Sequence, residues 1–387
     1  MTSEFAATFV SAVRKVVGTS SQVPLHVPDV GEVEKKFVAD CLDSTFVSSV
    51  GPYVNRFEDE IAAFTGARHA VAVSNGTSAL HVALVLAGVS DGDEVVVPAL
   101  SFVATANAVS HAGARPYFVD SDSSTMGMDP SALEAALGSC RREGDSLINP
   151  RTGRRVTAIV PMHTLGHPAD ILAIMAIANK FGIPVVEDAA ESLGSYVAGR
   201  HTGTFGLLGI LSFNGNKIVT TGGGGMILTD DPELARRAKH LTTTAKLPHA
   251  WEFAHDEIAW NYRMPNLNAA MGVAQLTKLE QYLVNKREIA RRYLEAFSGL
   301  EGFTFMTEPA GTSSNYWLCA VRLKDPSIEL RDELLLAATA DGLQCRPFWN
   351  LLNTLPMYEG CDSGNIAEAR QLSESVVCLP SSPGIVG

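Results

Sequence analysis

The stretch IPVVEDAAESLGSYVAGRHTGTFGLLGILSFNGNKIVTTGGGG, Ile183 to Gly225, constrains this chain more than any other. It opens on an apolar run, Ile183-Pro184-Val185-Val186, which reads as a buried strand and ends in two acids, Glu187 and Asp188. A carboxylate at the C-terminal end of a buried parallel strand faces the crevice where α/β proteins bind ligands. The stretch closes on Lys217 and a run of four glycines, Gly222 to Gly225. Glycine has no side chain, so a lysine near such a run can lie against a ligand with little in the way. Each half alone has an ordinary explanation: many α/β strands end in aspartate, and most lysines are solvated surface charges.

A second constellation is HAVAVSNGTSALHVALVLAG, beginning at His69. His69 to Val73 reads as a short strand, Ser74 to Ser78 as a small-residue turn, and Leu80, Ala83, Leu84 and Ala87 as one face of a helix. A helix that starts on such a turn offers free N–H groups and a positive dipole end to a phosphate. The same residues would also serve as a plain capped helix start. Neither GxGxxG nor GxxxxGK[ST] is present, so dinucleotide and P-loop readings are weak. The combination is more telling than either half. Asp188, Lys217, Ser212 and a cradle at Gly76, Thr77 and Ser78 are what pyridoxal 5′-phosphate (PLP) requires. A lysine forms the Schiff base, an acid keeps the pyridine nitrogen protonated, and a hydroxyl helps to hold the phosphate.

The segments NGTSAL, VVEDAAES, SFNGNKIVTTGGGG and WNYRMPNLNAAMGVAQL resemble, in that order, the DegT/StrS-type sugar aminotransferases of the fold-type-I PLP enzymes. The resemblance runs from near Pro24 to Pro383. It implies an α/β fold in which residues 24–250 form a large PLP-binding domain with a mostly parallel, helix-flanked sheet. Residues 251–387 would form a smaller C-terminal α/β domain, and residues 1–23 an N-terminal extension. Further roles are implied by the same resemblance. Phe102 would stack on the pyridine ring, and His163 would lie near the cofactor, although core packing and a capped turn suit these two residues as well. Glu191 stands where many members carry a glutamine that contacts the cofactor's 3-hydroxyl. Asn261 would reach the cofactor phosphate of a partner subunit, with Arg263 beside it, which makes the expected unit a homodimer with shared active sites. FVSSVGP, with Ser48 and Ser49, resembles an entrance loop near the substrate and is also an ordinary turn; Arg346-Pro347 resembles a substrate-facing element.

The implied reaction moves an amino group from glutamate to C4 of a UDP- or GDP-linked 4-keto-6-deoxy (2-acetamido) sugar. FVSSVGP, HLTTTAKLPHAWEF and CLPSSP look most like the branch tied to legionaminic-acid-type and related diamino-sugar synthesis. Three rivals are weighed against it. A PLP-dependent sugar dehydratase would carry histidine in place of Lys217. A nicotinamide-dependent oxidoreductase would need the missing dinucleotide fingerprint. A non-catalytic binding or regulatory relative would lose Lys217 or Asp188.

Composition narrows the remaining classes. With 387 residues, 46% hydrophobic, a large core is readily built, and the formal charge of −12 disfavours a sequence-independent nucleic-acid binder. Trp251, Phe253, Trp260 and Tyr262 interleave with charge, but Glu252, Asp256 and Glu257 argue against a nucleic-acid face. The six cysteines form no CxxC pair, so neither a redox motif nor a zinc ribbon is expected, and no metal. Arg14 and Lys15 follow the first apolar residues, the wrong order for a signal peptide, and no apolar run approaches the ~20 residues that span a bilayer. A soluble, cytoplasmic protein is expected.

Periodicity predicts helices at 31–43, 53–65, 102–112, 232–241 and 330–340, one long helical region at 266–298, and strands at 94–97, 115–119, 156–163 and 316–323. Arg141 to Arg155 reads as a polar surface loop, and residues 1–23 as a loosely held helix and linker.

Overall fold

The computed structural model describes residues 3–385. Its main sheet is built from apolar runs that read as buried parallel strands. Glu94–Pro98 is buried along its whole length and pairs in parallel with Arg115–Val119 on one side and Arg155–Ile159 on the other. Valine triplets such as Val95 to Val97 suit a strand covered on both faces. Val186–Asp188 pairs in parallel with Leu208–Ser212, and parallel bridges Ile159–Val185 and Met162–Asp188 join the two groups into one surface. Gly225–Thr229 runs against both of its neighbours, Leu208–Ser212 and His69–Val73. The sheet is thus mostly parallel, as expected. Helices Gly76–Leu86, Val103–His111 and Ile171–Phe181 each start on a residue in extended or other non-helical conformation; Asn75 and Asp170 cap two of them with side-chain oxygens.

A second, antiparallel sheet has the order Phe303–Phe305, Cys319–Leu323, Val376–Leu379, Arg346–Pro347. Helices Leu279–Phe297 and Ile328–Ala340 pack with it. So does the N-terminal helix Glu4–Val17, and here the structure corrects the sequence reading. Phe9, Ala12, Val13 and Val16 are buried in the same cluster as Tyr293, Phe297 and Phe303. Burying such side chains is worth about 1.5–3 kcal/mol each for the larger ones, so this helix is a core element rather than a loosely held extension.

Three boundaries also differ from expectation. The polar segment 141–155 contains a hairpin, Arg141–Glu143 with Ser146–Ile148, which adds to the main sheet through Leu147 and Ile148. Its exposed arginines masked the strand signal. The long helical region is two helices, Asn266–Leu276 and Leu279–Phe297, separated where the Thr277 hydroxyl donates to the Ala274 carbonyl at 2.6 Å. The strand expected from Tyr316 begins at Cys319, because residues 314–317 turn back toward the main sheet with Tyr316 at φ 47°. Among the described residues, no helix is long and apolar enough to cross a membrane.

Candidate active site

A cavity of about 830 Å³ opens between the C-terminal ends of the main-sheet strands and the second sheet. Asp188, at the end of strand Val186–Asp188, lines it. Its carboxylate accepts hydrogen bonds from the Thr105 hydroxyl at 2.8 Å and the Ala190 N–H at 3.2 Å. Burial pushes the Asp188 carboxyl above its ordinary range, against the pull of Thr105, Ala190 and the nearby Lys217. Among the described residues no ion pair reaches it, so the site has a buried acid that lacks a cation.

The alternation of side chains along extended chain sorts the neighbours of Asp188. Met162, bridged to Asp188, faces the cavity with it. The next residue on one side and the preceding residue on the other, His163 and Glu187, face away and meet each other, His163 Nε2 to Glu187 Oε2 at 3.0 Å. His163 Nδ1 accepts the Ala169 N–H at 3.1 Å, so both ring nitrogens are used. His163, expected near the cofactor, is fully buried and does not line the cavity. Glu187 also accepts the N–H groups of Gly203, Phe205 and Gly206. Burial raises the Glu187 carboxyl, but His163 and the backbone donors outweigh it and hold it below the ordinary range.

The turn before helix Gly76–Leu86 forms a second wall. Gly76, Thr77 and Ser212 line the cavity. A Cβ on Gly76 would lie 3.0 Å from Ser212 Cβ, and one on Gly225 would lie 2.5 Å from the Asn75 carbonyl carbon and oxygen. The last glycine of the run therefore lets the turn sit flush against the sheet. Ser78, expected in the cradle, is one step behind it: its N–H donates to Asn75 Oδ1 at 2.8 Å, and its side chain is buried off the wall.

Lys217 also lines the cavity, with its side chain 12% exposed. Its Nζ lies 3.1 Å from Glu191 Oε1 and 3.8 Å from the centre of the Trp317 ring. Glu191 Oε2 accepts the Leu165 N–H at 2.8 Å. Burial raises the Glu191 carboxyl, and Lys217 and the Leu165 N–H oppose that rise.

Phe102, half exposed at the start of helix Val103–His111, and Arg346 both line the cavity. Besides His163 and Ser78, four expected site residues, Ser48, Ser49, Asn261 and Arg263, lie off this wall. Ser48 and Ser49 sit in a surface turn whose Ser48 carbonyl accepts the Asn266 N–H, and Asn261 accepts from Arg263 Nε at 3.2 Å. Sequence reasoning missed Thr105 and Trp317. Thr105 lies three residues past Phe102 and had a local signal; Trp317 comes from a remote segment and had none.

The residues fit PLP. An amine, a buried acid without a cation for a protonated ring nitrogen, and a glycine-lined turn under Ser212 stand round one cavity. Comparison with known proteins agrees. Residues 28–387 match the DegT/DnrJ/EryC1/StrS aminotransferase family. EpsN of Bacillus subtilis (strain 168), provisionally named a pyridoxal phosphate-dependent aminotransferase, is 37% identical over 366 residues, covering 93% of this chain and 91% of that one. A GDP-perosamine synthase of Escherichia coli O157:H7 is 36% identical over 364 residues, 94% of each chain. The crystal structure of the aminotransferase TlmJ from Streptoalloteichus hindustanus superposes with a TM-score of 0.84 at 32% identity, covering 93% of each chain. The chain belongs to the DegT/DnrJ/EryC1/StrS aminotransferase family, as a fold-type-I, PLP-dependent sugar aminotransferase.

Proposed function

We propose that the chain transfers the amino group of glutamate to C4 of a nucleotide-linked 4-keto-6-deoxy sugar, for surface-polysaccharide or nonulosonic-acid sugar synthesis. The observation that carries this reading is the convergence of Lys217, Asp188 and the Gly76–Thr77 turn on one cavity. Lys217 disfavours the dehydratase alternative, and a binding module would have no use for all three groups.

Bound PLP supplies an electron sink for the charge left when a carbon gives up a proton. Asp188 holds a proton on the pyridine nitrogen, which keeps that sink open. Gly76, Thr77 and Ser212 hold the phosphate. Phe102 covers the ring face and excludes water. Lys217 Nζ takes the proton from the donor's α-carbon and, in the second half-reaction, delivers one to C4 of the sugar. Arg346 supplies positive charge at the cavity edge for an anionic part of the substrate.

The perosamine synthase relative supports a GDP carrier. The FVSSVGP and CLPSSP segments support a 2-acetamido sugar of the legionaminic type on UDP or GDP. Incubation with ¹⁵N-glutamate and each ketosugar nucleotide, followed by mass spectrometry, separates these. Label in a 4-amino sugar nucleotide is the expected result, and the better carrier is read from the rate. Glutamate deamination without label in any sugar would contradict the reading.

The active unit proposed is a homodimer. Trp251, Phe253 and Ile258 are 78%, 80% and 92% exposed, more apolar surface than a monomer usually shows in one segment. Asn261 follows them and lies off its own cavity wall, as a residue serving a partner would. Mixing Lys217→Ala with Asn261→Ala chains should restore part of the activity that each lacks, because one of the two shared sites then has both groups. No restoration in a mixture shown to exchange subunits would contradict a shared site.

A further inference from the structure

Trp317 reaches Lys217 from a segment far along the chain, and its backbone is tied down on both sides. The preceding Asn315 donates its amide to the Glu191 and Leu193 carbonyls, both at 2.9 Å, and accepts the Trp317 N–H at 2.8 Å. The Trp317 carbonyl accepts from the fully buried Lys286 Nζ at 2.8 Å. So placed, the indole makes two contacts with the lysine loop. Its N–H donates to the carbonyl of Asn216, the residue before Lys217, at 2.7 Å. Its face meets the Lys217 amine, with the ring centre 3.8 Å away. Glu191 takes the amine from another side at 3.1 Å, its second oxygen fixed by the Leu165 N–H. A cation between a carboxylate and an aromatic face is held in one place. An apolar side chain of similar size would fill the space and offer neither contact.

We propose that Trp317 is a positioning residue for Lys217: with Glu191 it forms a rest for the amine whenever that amine is free, and so keeps it within reach of the reacting carbon. This rests on Lys217 being the cofactor lysine. Borohydride reduction of the holoenzyme and peptide mapping therefore come first. Cofactor fixed to another lysine would end that assignment; cofactor on Lys217 leaves the role of Trp317 to be tested by itself.

Trp317→Leu and Trp317→Met remove ring and N–H together, and Trp317→Phe keeps the ring face alone. In single-turnover measurements the first two should slow donor deamination about tenfold. The donor KM should stay unchanged, and Trp317→Phe should recover most of the rate. In the full-length chain freed of cofactor, an amine-reactive reagent should modify Lys217 about tenfold faster in the Leu and Met variants, with Lys286 still protected. Lys286 serves as the internal control, because collapse of the segment would expose it as well. The variant that keeps Lys286 protected decides the outcome. Wild-type labelling and turnover in that variant would overturn the proposal, as would a Trp317→Phe protein as impaired as Trp317→Leu.

Discussion

Lys217→Ala should fold, bind PLP and lose about 10²–10⁴ of the transamination rate, the range that a positioned acid–base group contributes. The loss has a specific origin. Lys217 is the amine on the cavity wall, and it faces the same space as Asp188 and the Gly76–Thr77 turn. No other lysine lines that cavity among the described residues. The fold should survive because Glu191, left without its ion pair, can take up a proton; burial already raises its carboxyl. A small primary amine added to the variant should restore part of the rate by occupying the vacated space. A rate near that of wild type in Lys217→Ala would refute the assignment, and near-zero rate with an unfolded spectrum would show a structural role instead.

The second large effect is on stability. Glu187→Ala should cost about 3–5 kcal/mol, the usual consequence of removing one partner from a buried charged network. Four donors converge on this carboxylate: His163 and the N–H groups of Gly203, Phe205 and Gly206. All would lose their acceptor, His163 and Gly203 in the buried interior and Phe205 and Gly206 at its partly exposed margin. The pH dependence has a definite sign. The folded state holds Glu187 below the ordinary glutamate value of about 4.3, so its contribution is present above that value. It fades as pH falls through the lower, folded-state value. Asp188 and Glu191, raised by burial, act in the opposite direction: their ionised forms cost stability above the ordinary carboxylate range, until a cationic cofactor nitrogen offsets part of that cost. Urea unfolding of wild type and Glu187→Ala at neutral and acid pH should therefore show a stability gap that narrows on acidification. A gap independent of pH would mean that Glu187 acts through packing alone.

What the sequence revealed follows from how local each signal was. Asp188 was legible because a strand ending in an acid has one place to put that side chain, the crevice at the strand's C-terminal end. The Gly76–Thr77 turn was legible as strand, small residues and helix, all contiguous. His163, expected near the cofactor, lies one residue from the cavity wall and faces away from it, by the alternation that places Met162 beside Asp188 on the cavity. Ser78, expected in the cradle with Gly76 and Thr77, has its N–H engaged by the Asn75 cap, a local bond that the contiguous motif does not reveal. Trp317 had no local sign of its role, since its contact with Lys217 depends on the return of residues 314–317 to the main sheet. The N-terminal helix was misread for a related reason. Its apolar face was visible, but its partners Tyr293, Phe297 and Phe303 lie hundreds of residues away. The hairpin at 141–148 escaped notice because one of its strands is wholly exposed and polar, so the alternation on which strand prediction depends was absent.

The visible absorbance of the purified holoenzyme, followed through a complete amino-transfer cycle, tests the central claim most directly. Glutamate should bleach the cofactor's visible band with release of 2-oxoglutarate, and a GDP- or UDP-linked 4-keto-6-deoxy sugar should bring the band back. A band that glutamate leaves unchanged, or that returns with 2-oxoglutarate but with neither ketosugar, would contradict a sugar aminotransferase working through this site.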